Sequence, residues 1–159
     1  MITEKDKHFL KRCIQLAQDA LDNNDQPFGS VLVSASDEIL FEDHNHVSGG
    51  DHTQHPEFAI AKWATNNLTP EERKKATVYT SGEHCPMCAA AHGWVGLGRI
   101  VYASSAKQLF AWTQEINAPL SPIYPLSIQE VIRDPEVDGP DSELAQEVQQ
   151  LIIEYYAKN

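Results

Sequence analysis

Apolar residues recur at Phe9, Leu10, Ile14, Leu16, Ala17, Ala20 and Leu21, the three-and-four spacing of one helical face, so the pattern predicts a helix from Thr3 onward. Thr3 and Asp6 fit a capping box at its start, and Asn23-Asn24-Asp25 ends it. Phe28 to Val33 and Glu38 to Phe41 read as two short strands joined through Ser34-Ala35-Ser36-Asp37, a hairpin. The polar stretch from Asp43 to Gln54, with Gly49-Gly50 inside it, reads as a loop. A second helix begins at His55-Pro56-Glu57, where Pro56 suits the first turn, and runs through Phe58, Ile60, Ala61, Trp63 and Ala64. Thr77 to Thr80 reads as a third strand, Pro86 to Val95 as a third helix, and Arg99 to Ala103 as a fourth strand. Helices are expected over 105–116 and from Ser142 to Tyr156. Strands alternating with helices imply an α/β layered fold with part of the sheet parallel. No repeat, low-complexity tract or linker divides the chain, so residues 1–159 are expected to form one domain.

Composition narrows the function. Hydrophobic residues make up 42% and charged residues 22% of the 159 positions, the balance of a folded globular protein. The opening MITEKDKHFLKRC breaks up its apolar positions with charge, which argues against a signal peptide, and no later run is long enough to span a bilayer. Cytoplasmic residence is the default expectation. Twelve Lys and Arg against 23 Asp and Glu leave a net charge of −11, a surface that repels phosphate backbones. A small neutral or cationic ligand is therefore expected rather than a polynucleotide.

Three cysteines cannot all pair, and Cys85-Pro86-Met87-Cys88 sets two of them three apart at a helix start. Residues i and i+3 share one face there, and the helix N-terminus favours thiolates. Zinc binding and a redox pair are the two readings of this motif. His55-Pro56-Glu57 carries little weight by itself, but it also stands at a helix start. One imidazole and two thiolates would leave the fourth tetrahedral position open for water, as a catalytic zinc requires and a structural zinc avoids. Glu57, two residues past the histidine, would be near enough to take that water's proton without binding the metal.

His55-x-Glu57 followed by Cys85-x-x-Cys88 resembles the cytidine deaminase superfamily, whose zinc enzymes carry this signature. Pro27-Phe28-Gly29-Ser30-Val31 is similar to the P-F-G-A-V strand of its guanine deaminase and tRNA adenosine deaminase branch. Asp51-His52-Thr53-Gln54-His55-Pro56-Glu57 is similar to D-P-T-A-H-A-E with three replacements. Thr80-Ser81-Gly82-Glu83-His84-Cys85 is similar to T-S-x-E-P-C, except that His84 stands where proline would fix the turn. A partly exposed turn histidine is the plain expectation for it, and a hydrogen-bonding role behind the ligand cysteine the other. The resemblance covers about residues 5–115. It implies a three-layer α-β-α fold around a central mixed sheet of about five strands, Zn²⁺ held by His55, Cys85 and Cys88, and Glu57 as proton shuttle. It further implies a homodimer or larger assembly, with residues from about 116 to 159 forming a pocket-closing tail whose Tyr155 and Tyr156 would cover a partner's pocket.

For substrate contacts the resemblance points to Asn45, ten residues before the ligand histidine, and to Phe28, Trp94 and Glu115. The residues alone also allow plain core packing for Phe28 and Trp94 and a solvated helix end for Glu115. Cys13 is expected in the core, and His44, His46, His52 and His92 as structural or exposed. The leading expectation is hydrolysis of guanine to xanthine and ammonia, with Phe28 and Trp94 sandwiching the ring and Glu115 accepting from its N1 and N2 edge. tRNA adenosine, cytosine-type and aminotriazine substrates stay open. So do two other classes, a non-catalytic zinc-stabilised interaction module and a small redox protein.

Overall fold

The computed structural model describes residues 1–159. Helix α1 (Glu4–Asp22) is followed by strands β1 (Gly29–Val33) and β2 (Ile39–His44), a 3₁₀ turn at Val47–Gly49, and helices α2 (Pro56–Asn67) and α3 (Pro70–Lys75). Then come β3 (Thr77–Gly82), α4 (Pro86–Val95), β4 (Ile100–Ser104), α5 (Ala106–Glu115), α6 (Ile128–Val131), β5 (Val137–Asp138) and α7 (Ser142–Lys158). The strands form one mixed sheet in the order β2-β1-β3-β4-β5. β1 runs antiparallel to β2 and β3, while β3, β4 and β5 are parallel.

Side-chain alternation along the strands sorts the core into two faces. Val31, Val33, Tyr79, Val101 and Ala103 pack against Phe9, Leu10, Cys13 and Ala17 of α1 and Leu144, Val148 and Ile152 of α7. Their neighbours point the other way. Leu32 and Val78 meet Ile60 and Ala64 of α2, and Ile100 and Tyr102 meet Ala89 of α4 and Ile128 of α6. The result is the expected three-layer α-β-α arrangement with five strands. No helix is long and apolar enough to cross a membrane.

Local signals account for the ends. Thr3 Oγ1 accepts from the Asp6 amide at 3.2 Å, and Asp6 Oδ2 accepts from the Thr3 amide at 2.8 Å, so the capping box at the start of α1 is real. Asp6 works twice, because its carboxylate also takes the Tyr79 hydroxyl at 2.8 Å and both Arg99 Nη atoms at 2.8 and 3.0 Å. Burial alone would raise its pKa, but Arg99 and the other donors outweigh that and hold the carboxyl well below its ordinary range. Gly29 opens β1 where α1 crosses it. A Cβ there would overlap the Cys13 carbonyl and stand 2.5 Å from Leu16 Cβ, so only glycine permits that approach.

Three elements go beyond the sequence expectation: α3, α6 and β5. α3 buries no residue and α6 only Ile128, so hydrophobic spacing gave no signal for either. Both nevertheless begin on capping boxes, Thr69 with Glu72 and Ser127 with Glu130. β5 pairs only through Val137 and Asp138 at the sheet edge.

Candidate active site

Two helix starts meet behind the carboxyl end of β3. His55 is the N-cap of α2 and Cys85 the N-cap of α4, each followed by a proline in the first turn that gives up an amide hydrogen the helix could not use. His55 Nδ1 lies 3.5 Å from Cys85 Sγ and 3.6 Å from Cys88 Sγ. Tetrahedral zinc with ordinary Zn–S and Zn–N bonds would set nitrogen and sulfur about 3.5 Å apart. The three ligand atoms are thus already spaced for one small dication, and they lie within 4.8 Å of one another.

The electrostatics agree with that spacing. The thiols ionise as a pair: Cys85 is pulled down to about 4, chiefly by the Cys88 thiol donating to it and further by His55. Cys88 is pushed far up by the Cys85 thiolate beside it and by burial. A dication is what would make both thiolates stable together. The Cys85 thiolate also raises His55.

Glu57 follows on the first turn of α2 and is 6% exposed. Its Oε1 accepts from Ser30 Oγ at 2.7 Å and from Thr80 Oγ1 at 2.9 Å, so β1 and β3 together fix one carboxylate oxygen. Oε2 makes no comparable hydrogen bond. Burial is the largest influence on this carboxyl and raises its pKa, with Ser30 the strongest opposing donor.

Glu57, His55 and Cys85 form the floor of a cleft of about 520 Å³. Phe28 and Asn45 line it, as expected. Asn45 is 1% exposed, and its Oδ1 is committed to the Val47 amide at 3.0 Å, which leaves the Nδ2 group as a donor. The structure does not bring the other two expected contacts into this cleft. Trp94 is 91% exposed, on the far side of α4 in a shallow groove with Phe58, Lys62 and Ala91. It follows the buried His92 by two residues, which puts it on the opposite side of the helix and aims it outward. Glu115 is exposed at the last turn of α5, and it is Thr113 and Gln114 that line the cleft.

His84 also departs from expectation. It is 1% exposed, stacked edge-on against His92 at 5.4 Å, with neither ring nitrogen hydrogen-bonded. Burial holds it neutral. His92 is buried as well and contacts the Gly98 carbonyl at 2.8 Å, while Cys13 lies in the core as expected.

Several residues in and behind the cleft escaped the sequence reading, although Tyr155 and Tyr156 were expected to cover a pocket. Ser30 and Thr80 looked like ordinary strand positions, although Ser30 breaks an otherwise apolar run. Glu83 accepts the Ala106 amide at 2.8 Å and the Ile128 amide at 2.9 Å, tying the starts of α5 and α6 to the turn before Cys85. Leu109, Ile152, Tyr155 and Tyr156 wall the cleft, and Leu120 and Tyr124 rim it, 74% and 83% exposed. The terminal helix thus places its two tyrosines at the cleft of its own chain.

Known proteins resemble this chain. A model of the cytidine and deoxycytidylate deaminase zinc-binding region matches residues 3–104. A protein of Schizosaccharomyces pombe described as a "probable cytosine deaminase" is 34% identical over 123 residues, 77% of this chain and 74% of its own. The guanine deaminase of Bacillus subtilis is 32% identical over 97 residues, 60% of this chain and 62% of its own. A solved guanine deaminase from Nitrosomonas europaea superposes with a TM-score of 0.74 at 17% identity, over 99% of this chain and 86% of the other, a likeness of fold.

Proposed function

The chain belongs to the cytidine and deoxycytidylate deaminase family, and from that premise we propose that it is a zinc-dependent hydrolase that replaces the exocyclic amine of a free nucleobase-like ring by oxygen and releases ammonia. The observation that carries this reading is the preset His55–Cys85–Cys88 spacing with the buried Glu57 carboxylate beside it at the floor of a cleft. Bound there, zinc would supply a Lewis acid that activates water at neutral pH.

The chain's own groups do the rest. Glu57, its pKa raised by burial, accepts a proton from the attacking water, delivers it to the ring nitrogen beside the reacting carbon, and helps the amine leave as ammonia. Ser30 and Thr80 keep its Oε1 fixed, which leaves Oε2 as the oxygen to carry the proton. Asn45 Nδ2 donates to an acceptor on the ring, and Phe28 with Leu109 and the tyrosines of α7 covers its faces and excludes water.

Of the candidate rings, a cytosine-type edge suits the cleft best. Its acidic lining is Glu57 and Glu83, and both Glu83 oxygens are taken by backbone amides, so no free carboxylate is left to accept the N1 and N2 hydrogens of guanine. Cytosine instead presents an acceptor oxygen to Asn45. Its S. pombe relative points the same way. Guanine is the second reading, favoured by the B. subtilis relative. Transfer RNA is opposed by the net charge of −11.

Ammonia release across cytosine, guanine, adenine, their nucleosides and aminotriazines tests the proposal. Turnover of one or more free bases, abolished in Glu57→Gln, is expected. No release from any of them would overturn it in favour of a non-catalytic zinc module.

A further inference from the structure

A second group of ligand-type side chains lies outside the cleft, where the turn after α1 meets the end of β2. One ligand atom each from Asp25, His44 and His46 lies within 4.8 Å of the other two. The strand order explains the meeting. β2 runs antiparallel to β1, which pairs Gly29 with His44 and returns the chain to the turn that α1 has just left. Asp25 is 3% exposed, and its Oδ1 accepts the Ser48 amide at 2.8 Å, which fixes the carboxylate against the 3₁₀ turn.

The two imidazoles are prepared in a specific way. His44 Nδ1 lies 2.9 Å from the Asn45 carbonyl oxygen, which can only accept, so Nδ1 carries the hydrogen and Nε2 offers a lone pair. His46 Nε2 lies 2.9 Å from Asp43 Oδ1, which as a carboxylate also only accepts, so His46 offers Nδ1. Neither free nitrogen has another protein partner. An imidazole with one nitrogen tied to a carbonyl or carboxylate and the other bare is the arrangement that supports a metal-bound histidine. The rings sit 4.3 Å apart, tilted by 33°. A first-row cation would hold such ligands roughly 3–4 Å apart, so a small rotation of the exposed His46 side chain closes the group.

We propose that Asp25, His44 and His46 form a second binding site for a divalent transition-metal ion, with Asp43 orienting His46 and solvent completing the coordination. Two imidazoles and one carboxylate select copper, nickel or zinc over magnesium or calcium. The site would act on the cleft through position. Asn45 stands between the two histidines, and its amide donates to the Phe28 carbonyl at 3.0 Å. A cation joining Asp25 to His44 and His46 would fasten together the two segments that present Phe28 and Asn45 to a ligand.

The test uses the full chain with zinc at the His55 group, titrated with Ni²⁺ by calorimetry and followed by elemental analysis. One further equivalent per chain is expected, with a rise in the thermal midpoint. The His44→Gln/His46→Gln double variant should lose that equivalent and keep its zinc and circular dichroism spectrum, and Asp25→Asn, which keeps the acceptor for Ser48, should weaken it. A wild type that takes up no second ion, or a double variant that takes it up undiminished, would overturn the proposal. Electron paramagnetic resonance of Cu²⁺-loaded wild type needs no variant to fold: two coordinated imidazole nitrogens are expected, and none or one would refute the site.

Discussion

Ser30, the second residue of the fully buried strand β1, donates its hydroxyl to Glu57 Oε1 at 2.7 Å, so the position of the proposed acid–base carboxylate is set from the sheet as well as from its own helix. Ser30→Ala should keep zinc and fold but lose roughly 10- to 100-fold in kcat, the worth of one hydrogen bond to a charged group. Glu57→Gln should lose at least about 100-fold, since the proton transfers themselves go. Steady-state kinetics on both variants checks the order. Ser30→Ala within twofold of wild type would mean that Thr80 alone holds the carboxylate.

Metal content separates the ligand set from its surroundings. The native chain should carry one tightly held zinc, and Cys88→Ala should lose it, because two ligands no longer hold a catalytic zinc. Elemental analysis after dialysis against a chelator decides this. Loss of zinc should also lower the thermal midpoint, since a ligand that binds only the folded state stabilises it by mass action.

The tyrosines of α7 should contribute to binding more than to chemistry. Tyr155 and Tyr156 are half-buried at the wall of the cleft and belong to α7, whereas the ligand atoms sit at the starts of α2 and α4. Replacing Tyr156 by alanine removes apolar cover worth about 1 kcal/mol, and KM is expected to rise roughly fivefold with kcat nearly constant. If kcat fell alone, the tyrosine would be acting on the reacting atoms instead.

Asp6 makes stability depend on acid. Its folded-state pKa is depressed, so its stabilisation is present above the unfolded value of about 3.9 and is lost as pH falls through the folded value. Asp6→Asn should cost about 3 kcal/mol at neutral pH, since Arg99 loses the charge it pairs with and one of the two oxygens that Thr3, Tyr79 and Arg99 donate to becomes an NH2 donor, or roughly 10 °C in Tm for a chain of this size. The gap between variant and wild type should narrow below about pH 4. A gap that stays constant with pH would show that the Asp6 charge is not what stabilises the fold.

What could be read from the sequence follows from what leaves a local trace. α1, α2, α4 and α7 bury one face or start on a proline or a cap, and β1, β3 and β4 are continuous buried runs, so spacing exposed them. The metal group was legible because it lies on two short motifs, each within three residues. Trp94 and Glu115 were misplaced because their helices' positions were carried over while the side a residue faces depends on a packing angle no local pattern encodes. Ser30, Thr80 and Glu83 were silent for another reason: each matters only through a partner 23 or more residues away. His84 is the plainest case. A polar residue in a turn reads as exposed, and nothing local announces that His92, eight residues further along the chain, packs edge-on against it in the interior.

Glu83 joins two parts of the molecule that are written in different stretches of sequence. His55, Cys85, Cys88 and Glu57 fall within the region matched by the family, residues 3–104, as do Phe28 and Asn45, whereas Leu109, Gln114, the 119–126 rim and the tyrosines all follow it. That single side chain, with an oxygen on each of α5 and α6, is the rivet between them. A change in the later stretch would therefore reshape one wall of the cleft without touching His55, Cys85, Cys88 or Glu57, so under the proposed reaction the choice of ring and the chemistry done on it are partly separable in this scaffold.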